Sequence, residues 1–225
     1  LRFPGFQGNW EKKLLPETTD IYNKLRKPIE KSERAKRNGP YPYYGASGVI
    51  DNFDDFLFDG EFVLIAEDGA NILTRSSRLA FIAKGKFWVN NHAHVLKSLQ
   101  NNYFLCELLE KLDYKKYNTS STQPKLNLES LKSISFYMPK VEEQQKIASF
   151  LSSVDEKISQ LEKKKILLET YKRGIMQKIF SQELRFKDEN GQEFPEWEVT
   201  SLGSVSIINM GQSPDSKSYN NNKEG

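Results

Sequence analysis

The chain has 225 residues, with 33 lysines and arginines, 30 aspartates and glutamates, two histidines and one cysteine. This length is ample for a hydrophobic core, and the longest apolar run, residues 62–66, is too short to span a membrane. A single cysteine excludes a disulfide framework and a cysteine-rich zinc site, so we expect a cytoplasmic protein without a bound metal.

The net charge of +3 is small because blocks of opposite sign cancel along the chain. Residues 24–37 carry seven bases and two acids, a local charge of +5. Residues 51–68 carry seven acids and no base, a local charge of −7. Residues 69–140 carry eleven bases and four acids, a local charge of +7. Basic blocks of this size favour a nucleic-acid partner, although a solvated surface explains any one of them equally well.

Before Pro139, short apolar segments alternate with turn residues, which indicates an α+β globular domain. A helix is predicted over about residues 102–115, where leucines recur at helical spacing. A short helical turn is predicted at residues 128–131. Strands are predicted at residues 62–66, 79–83, 87–89 and 134–137.

After Pro139, one long helix is predicted from Val141 to about Ser181, because this segment has no proline and one glycine. Its apolar residues alternate at intervals of four and three, which indicates the seam of a coiled coil. The seam residues are Ile147, Leu151, Val154, Ile158, Leu161, Leu168, Ile175 and Ile179. A helix of about 60 Å cannot bury this stripe against a domain of about 140 residues, so we expect a partner helix. The alternative is a core helix of a compact domain.

An internal repeat relates the two ends of the chain. Leu1-Arg2-Phe3 is followed by Trp10-Glu11, and Leu184-Arg185-Phe186 is followed by Trp197-Glu198. The offset of 183 to 187 residues predicts a large module with its helix, followed by the start of a second module. We therefore expect a recognition domain over residues 1–139, a spacer helix over residues 140–182, and a shortened second domain over residues 183–225.

Four segments carry a resemblance to a known family. They are residues 1–11, residues 41–51, Asn90-Asn91-His92-Ala93-His94-Val95-Leu96, and residues 121–155. The last is the most specific, because a strand and Pro139 precede Glu142-Glu143-Gln144-Gln145-Lys146-Ile147-Ala148 at the start of a long helix. In these segments the chain resembles the specificity subunit of type I restriction–modification systems.

The resemblance implies a non-catalytic subunit in which two target-recognition domains each read one half of a split DNA site. Two long antiparallel helices separate the domains, set the gap between the half-sites, and bind methyltransferase subunits and, through them, restriction or translocase subunits. This chain would supply one recognition domain, one helix and the entry to a second domain. It would be either a shortened piece or a half-length subunit that homodimerises through its helix and reads palindromic sites.

Three polar segments supply side chains suited to double-stranded DNA, namely residues 24–37, 74–78 and 115–125. Lysine and arginine contact phosphates, whereas arginine, amide and hydroxyl groups read base edges. We expect residues 24–37 to form a mobile loop, and we expect the acidic block 51–68 either to lie away from DNA or to orient the domain by repulsion. The candidate DNA-binding residues are Lys24, Arg26, Lys27, Arg34, Lys36, Arg37, Tyr43, Tyr44, Ser47, Arg75, Arg78, Lys115, Lys116, Asn118, Ser120, Ser121, Thr122, Gln123 and Lys125.

Among these candidates, Arg75 or Arg78 could read guanine, and Asn118 or Gln123 could read adenine. For Tyr43 and its neighbour Tyr44, core or hinge packing is an equally good interpretation.

No catalytic or cofactor site is predicted. The chain has neither the glycine-rich loop nor the Pro-Pro motif expected of a nucleotide methyltransferase, and it lacks the acidic spacing of a metal nuclease. His92 and His94 lack a third ligand nearby, so we interpret them as a structural pair. Two alternatives stay open. One is a coiled-coil adaptor with a protein-binding head, and the other is an antagonist that sequesters methyltransferase subunits.

Overall fold

The computed structural model describes residues 2–120, 123–209 and 211. The chain divides into two compact units, Leu1–Glu162 and Lys163–Gly225. The first unit contains a head of strands and short helices together with the first half of a long helix. No helix among the described residues combines the length and the apolar character needed to cross a membrane.

The head mixes helices and strands, and a long helix follows it, so the predicted α+β fold class is confirmed. The strands are β1 (Glu11–Leu14), β2 (Thr19–Ile21), β3 (Tyr41–Gly45), β4 (Gly48–Phe53), β5 (Phe58–Ala66), β6 (Ala80–Val89), β7 (Ala93–Ser98) and β8 (Ser135–Met138). The helices are α1 (Leu15–Thr18), α2 (Lys31–Arg34), α3 (Asn71–Thr74), α4 (Asn102–Lys111), α5 (Leu128–Lys132), α6 (Val141–Phe180) and α7 (Leu202–Val205). Short 3₁₀ turns lie at Asn23–Leu25 and Lys115–Tyr117.

Six strands form one sheet in the order β2-β7-β5-β6-β3-β4, and β1 pairs separately with β8. All neighbours are antiparallel except β3 and β6. Gly60 on β5 faces Gly85 on β6, and both have positive φ angles, 131° and 77°. Glycine adopts this conformation without steric cost, so β5 and β6 can both bend at this pair of residues. Beyond the bend, Trp88 on β6 pairs with Tyr43 on β3.

The sheet is buried on both faces along residues 62–66 of β5, where alternate side chains point to opposite faces. Val63 and Ile65 pack in one cluster with Leu105 and Leu109 of α4. Phe62 belongs to a second cluster on the opposite face, where aromatic rings predominate. The apolar run at residues 62–66 is therefore continuous because neither face of the sheet meets solvent along this part of β5.

Helix α4 ends earlier than the predicted residue 115. Asn101 caps its start by accepting a hydrogen bond from the Phe104 amide. At the other end, Leu112 adopts an extended conformation, and the Tyr114 hydroxyl donates to the Leu109 carbonyl oxygen at 2.7 Å. Leucine spacing continues past the helix because the turn that follows is also packed against the core.

Helix α6 spans Val141–Phe180, which confirms the predicted long helix. Its first turns are anchored to the head. Glu143 is buried, and the Arg2 guanidinium donates to its two carboxylate oxygens at 2.7 and 2.6 Å. Ala148 is also buried against the core. Beyond this anchor, the seam residues from Val154 to Leu168 are exposed, so no described residue covers them.

The repeated Leu-Arg-Phe elements make similar local contacts in the two units. In the first unit, Arg2 donates to the Gly8 carbonyl oxygen at 2.6 Å in addition to Glu143. In the second unit, Arg185 donates to the Phe194 carbonyl oxygen at 2.6 Å and pairs with Glu196. Each arginine thus ties the loop that follows it to a nearby carboxylate.

Candidate nucleic-acid interface

The basic segment 24–37 is folded, in contrast to the predicted mobile loop. It contains a 3₁₀ turn and α2, and ion pairs attach it to the acidic block. Arg34 Nε donates to Asp51 at 2.9 Å, and Arg37 pairs with Asp54 at 2.8 Å. The two charge blocks therefore neutralise each other in part, and the acidic block does not lie apart from the basic one.

All five candidate arginines pair with carboxylates of the head, in six ion pairs. The pairs are Arg26–Glu67, Arg34–Asp51, Arg37–Asp54, Arg37–Glu33, Arg75–Glu110 and Arg78–Glu107. The planar guanidinium suits such pairing because it offers several donors in a fixed fork. In this structure the candidate arginines brace the fold through these pairs, so their charges are partly neutralised before any DNA contact.

The candidate lysines behave differently. Within the described residues, five of them are exposed and have no carboxylate within 4.0 Å. They are Lys24, Lys27, Lys36, Lys115 and Lys116. The sixth, Lys125, lies 3.8 Å from Glu67. Phosphate contact requires only a mobile positive charge, so these five lysines are the bases best placed for it.

Four stretches of the head converge around Glu67 and His94, and we call them the loop cluster. The cluster comprises residues 23–27, 67–69 and 90–92, together with residues 118–120 and 123–125. The Glu67 amide donates to the His92 carbonyl oxygen at 2.9 Å. The Gly69 amide donates to the Pro124 carbonyl oxygen at 3.0 Å.

The loop cluster brings together two of the three candidate segments. Arg26 and Lys125 come from these two segments and share the same Glu67 carboxylate, at 2.7 and 3.8 Å. The third segment, residues 74–78, is attached to α4 instead, through the Arg75 and Arg78 ion pairs.

His94 lies at the centre of the loop cluster and is fully buried. Its Nδ1 accepts from Asn23 Nδ2 at 2.7 Å, and its Nε2 donates to the Leu126 carbonyl oxygen at 2.7 Å, a tautomer assigned from these partners. Burial lowers the pKa of His94 below its ordinary value. Within the described residues, no cluster of three or more histidine, cysteine or carboxylate side chains could hold a metal ion.

Acidification from pH 6.5 to 5.5 is expected to lower the free energy of unfolding by up to about 1.0 kcal/mol through His94. Because the folded-state pKa is lowered, this stability is complete above the ordinary value of about 6.5 and is lost as the unfolded chain takes up a proton below it. Urea denaturation at both pH values measures the loss. His94→Gln should remove it, whereas His92→Gln should retain it. An equal pH dependence in all three proteins would contradict this assignment.

Tyr43 was a candidate DNA contact, but its side chain is almost completely buried and cannot reach DNA. It is 1% exposed, its hydroxyl accepts from the Ile29 amide at 3.0 Å, and Arg34 lies over its ring. Tyr44 is half-buried and stacks on Phe81 with ring centroids 5.8 Å apart. The packing interpretation therefore holds for Tyr43, whereas Tyr44 keeps one accessible edge.

The remaining polar candidates lie in turns. Ser47 is exposed in the turn between β3 and β4. Asn118 braces its own loop, since its side-chain oxygen accepts from the Lys125 amide at 2.8 Å and its amide group donates to the Ser120 carbonyl oxygen. Gln123 is exposed beside it. Ser121 and Thr122 lie outside the described residues.

Sequence reasoning missed the carboxylates that position the candidate bases. Glu67 holds the stretches of the loop cluster together, and Glu107 and Glu110 of α4 pair with the arginines of residues 74–78. The only available signal was the presence of adjacent blocks of opposite charge, which predicts pairing without naming the partners.

Comparison with known proteins agrees with this architecture. The sequence pattern of the type I restriction modification DNA specificity domain matches residues 7–170. A putative type I restriction enzyme specificity subunit of Haemophilus influenzae is 36% identical over 152 residues, which cover 67% of this chain and 38% of that protein. The chain thus spans less than half of this relative.

Solved structures show the same fold. The type I restriction–modification S subunit from M. genitalium has a TM-score of 0.60 at 19% identity, over 81% of this chain and 47% of that one. A chain from a study of complex assembly and conformational transition in a type I system has a TM-score of 0.54 at 17% identity, over 80% and 47%. With the domain pattern extending over most of its length, the chain belongs to the type I restriction–modification DNA specificity family.

Proposed function

We propose that the chain is a non-catalytic DNA-recognition subunit of a type I restriction–modification complex and reads one half of a split site. The observation that carries this proposal is the match of the DNA specificity domain to residues 7–170, which include the whole head and most of α6. The exposed lysines of the head supply the phosphate contacts, and the loop cluster supplies the base-reading surface.

The long helix serves assembly. Its central seam residues, Val154, Ile158, Leu161 and Leu168, are between 42% and 55% exposed, and they bury their apolar surface only against a partner. We assign that partner as a second helix of the same kind, which a second copy of the chain provides. The helix also docks methyltransferase subunits, which in turn hold the restriction subunits.

Charge along α6 favours an antiparallel partner. Residues 141–162 carry five acids and two bases, a charge of −3, whereas residues 163–180 carry six bases and one acid, a charge of +5. Antiparallel copies place the acidic half of one helix beside the basic half of the other. Parallel copies would place two halves of +5 side by side, which is unfavourable.

Replacing Lys24, Lys27 and Lys36 together with alanine is expected to weaken binding to duplex DNA and to flatten its salt dependence. Each phosphate contact contributes about 0.9 to the slope of log K against log salt, so the slope should fall by about 2 to 3. Fluorescence anisotropy with a labelled duplex at 50 to 200 mM salt measures it. Lys157→Ala on α6 is the control. An unchanged slope in the triple variant would remove these lysines from the interface.

The same titration separates the proposal from the coiled-coil adaptor. A DNA-binding head loses affinity steeply as salt rises, whereas a protein-binding head shows no salt-dependent retention on DNA. Wild-type protein without measurable affinity for duplexes at 50 mM salt would favour the adaptor.

Reconstitution with a methyltransferase subunit, followed by mapping of the methylated adenines, tests the proposal as a whole. Split palindromic sites are expected if two copies of the chain assemble through α6, because a two-fold protein reads a two-fold site. Asymmetric sites would exclude the homodimer. A complex that forms and never methylates DNA would favour the antagonist.

A further inference from the structure

The joint between the head and α6 is built from contacts on two sides of the helix. On one side, Arg2 pairs with Glu143, and the Phe3 ring meets the Phe150 ring edge-on with centroids 5.5 Å apart. On the other side, the Tyr103 hydroxyl of α4 donates to the Asp155 carboxylate. All these residues belong to one compact unit.

The Tyr103–Asp155 hydrogen bond is the described polar contact with the head that lies furthest along α6. Without it, the last ring contact with the head is at Phe150, about 8 Å nearer the start of the helix. Burial raises the pKa of the Tyr103 hydroxyl, and the hydrogen bond to Asp155 adds to the shift. The hydroxyl therefore stays protonated and donates at neutral pH.

Helix α4 also holds the polar turn at residues 74–78, which carries Arg75 and Arg78. Glu107, one turn after Tyr103, pairs with Arg78, and Glu110 pairs with Arg75 and accepts from the Leu79 and Ala80 amides at 2.8 and 2.9 Å. A single helix thus connects this turn of the head to α6. Any loosening at Asp155 changes the angle between the turn and the spacer helix.

Small angular changes at this joint matter because α6 is long. Residues 156–180 extend the helix by about 38 Å beyond Asp155. A tilt of about 5° over that length displaces the end of the helix by roughly 3.3 Å, which is close to one base-pair step of DNA. If the angle between the head and α6 is fixed to within a few degrees, the protein can therefore distinguish gaps that differ by one base pair.

We propose that Tyr103 and Asp155 are a positioning pair that fixes the angle of the head on the spacer helix and so restricts the gap length accepted between the two half-sites. This inference rests on the proposed function, because a gap exists only for a protein that reads a split site. Neither residue contacts DNA in this scheme.

Selection from a random duplex library tests the pair. The chain is assembled with its methyltransferase subunit, bound duplexes are sequenced, and the gap length is counted between the two half-sites. We expect the wild type to select one gap. Tyr103→Phe and Asp155→Ala, which remove the donor and the acceptor respectively, should raise the share of gaps one base pair longer or shorter by about fivefold, the factor expected when one hydrogen bond is lost.

Matched controls separate positioning from a loss of stability. Tyr137→Phe removes a hydroxyl from an exposed tyrosine of β8, and Glu156→Gln removes a charge next to Asp155. Both should select the wild-type gap, and the Tm of all four variants should stay within a few degrees of the wild type, so that all of them are folded under the conditions of the selection. The same single gap in the Tyr103 and Asp155 variants would overturn this inference alone. A wild-type selection without a split motif would overturn the proposed function, and this inference with it.

Discussion

Replacing Leu161 with lysine is expected to abolish self-association of the chain and docking of the methyltransferase. Leu161 is 53% exposed and lies 20 residues from the start of α6 and 19 from its end. In an antiparallel pair with aligned ends, it meets its own copy at the two-fold axis, so one substitution acts twice at the same point. Burial of each leucine contributes about 1.5–3 kcal/mol, so the loss should weaken dimerisation by about 10² or more.

The measurement is sedimentation velocity over a range of concentrations, together with co-purification of the methyltransferase subunit. Leu168→Lys should have the same effect, because Leu168 is 55% exposed on the same seam. Thr170→Lys introduces the same charge on the outward face of α6 and serves as the control. If Leu161→Lys assembles like the wild type, the seam does not form the interface.

The long helix could be predicted because its signal is local. The absence of proline, the acids in the first turn and the heptad spacing all lie within residues 141–180 and require no tertiary information. Strands β5, β6 and β8 were predicted for the same reason, although residues 80–83 and 87–89 belong to the single strand β6. Gly85, which interrupts the pattern, faces Gly60 across the ladder as part of a shared bend and does not end the strand.

The candidate interface was harder to predict, because the role of a charged side chain depends on partners distant in sequence. Arg26 and Glu67 are 41 residues apart and meet only after β5 and β7 pair. The sequence shows seven bases in residues 24–37. It cannot show that the arginines of this segment form ion pairs with carboxylates whereas the lysines do not. Tyr43 illustrates the same limit, since its burial follows from the fold of β3 against β6.

Replacing Glu67 with alanine is expected to destabilise the head by about 3–5 kcal/mol, the cost of leaving a largely buried partner charge without its counter-ion. The Arg26 and Glu67 side chains are only 14% and 15% exposed, and their nitrogen and oxygen atoms are 2.7 Å apart. Glu61→Ala is the control, because Glu61 also lies on β5 and pairs with Lys84 across an exposed surface. That pair should contribute no more than about 1 kcal/mol.

Urea denaturation of the two single variants and of Arg26→Ala/Glu67→Ala separates the ion pair from the packing around it. The double variant should be more stable than the sum of its single losses predicts, because removing both side chains leaves neither charge of this pair buried without its counter-ion. Glu67 also holds residues 23–27 against Lys125, so Glu67→Ala should weaken specific DNA binding even at temperatures where the head stays folded. Specific binding equal to that of Glu61→Ala would show that DNA is read elsewhere on the head.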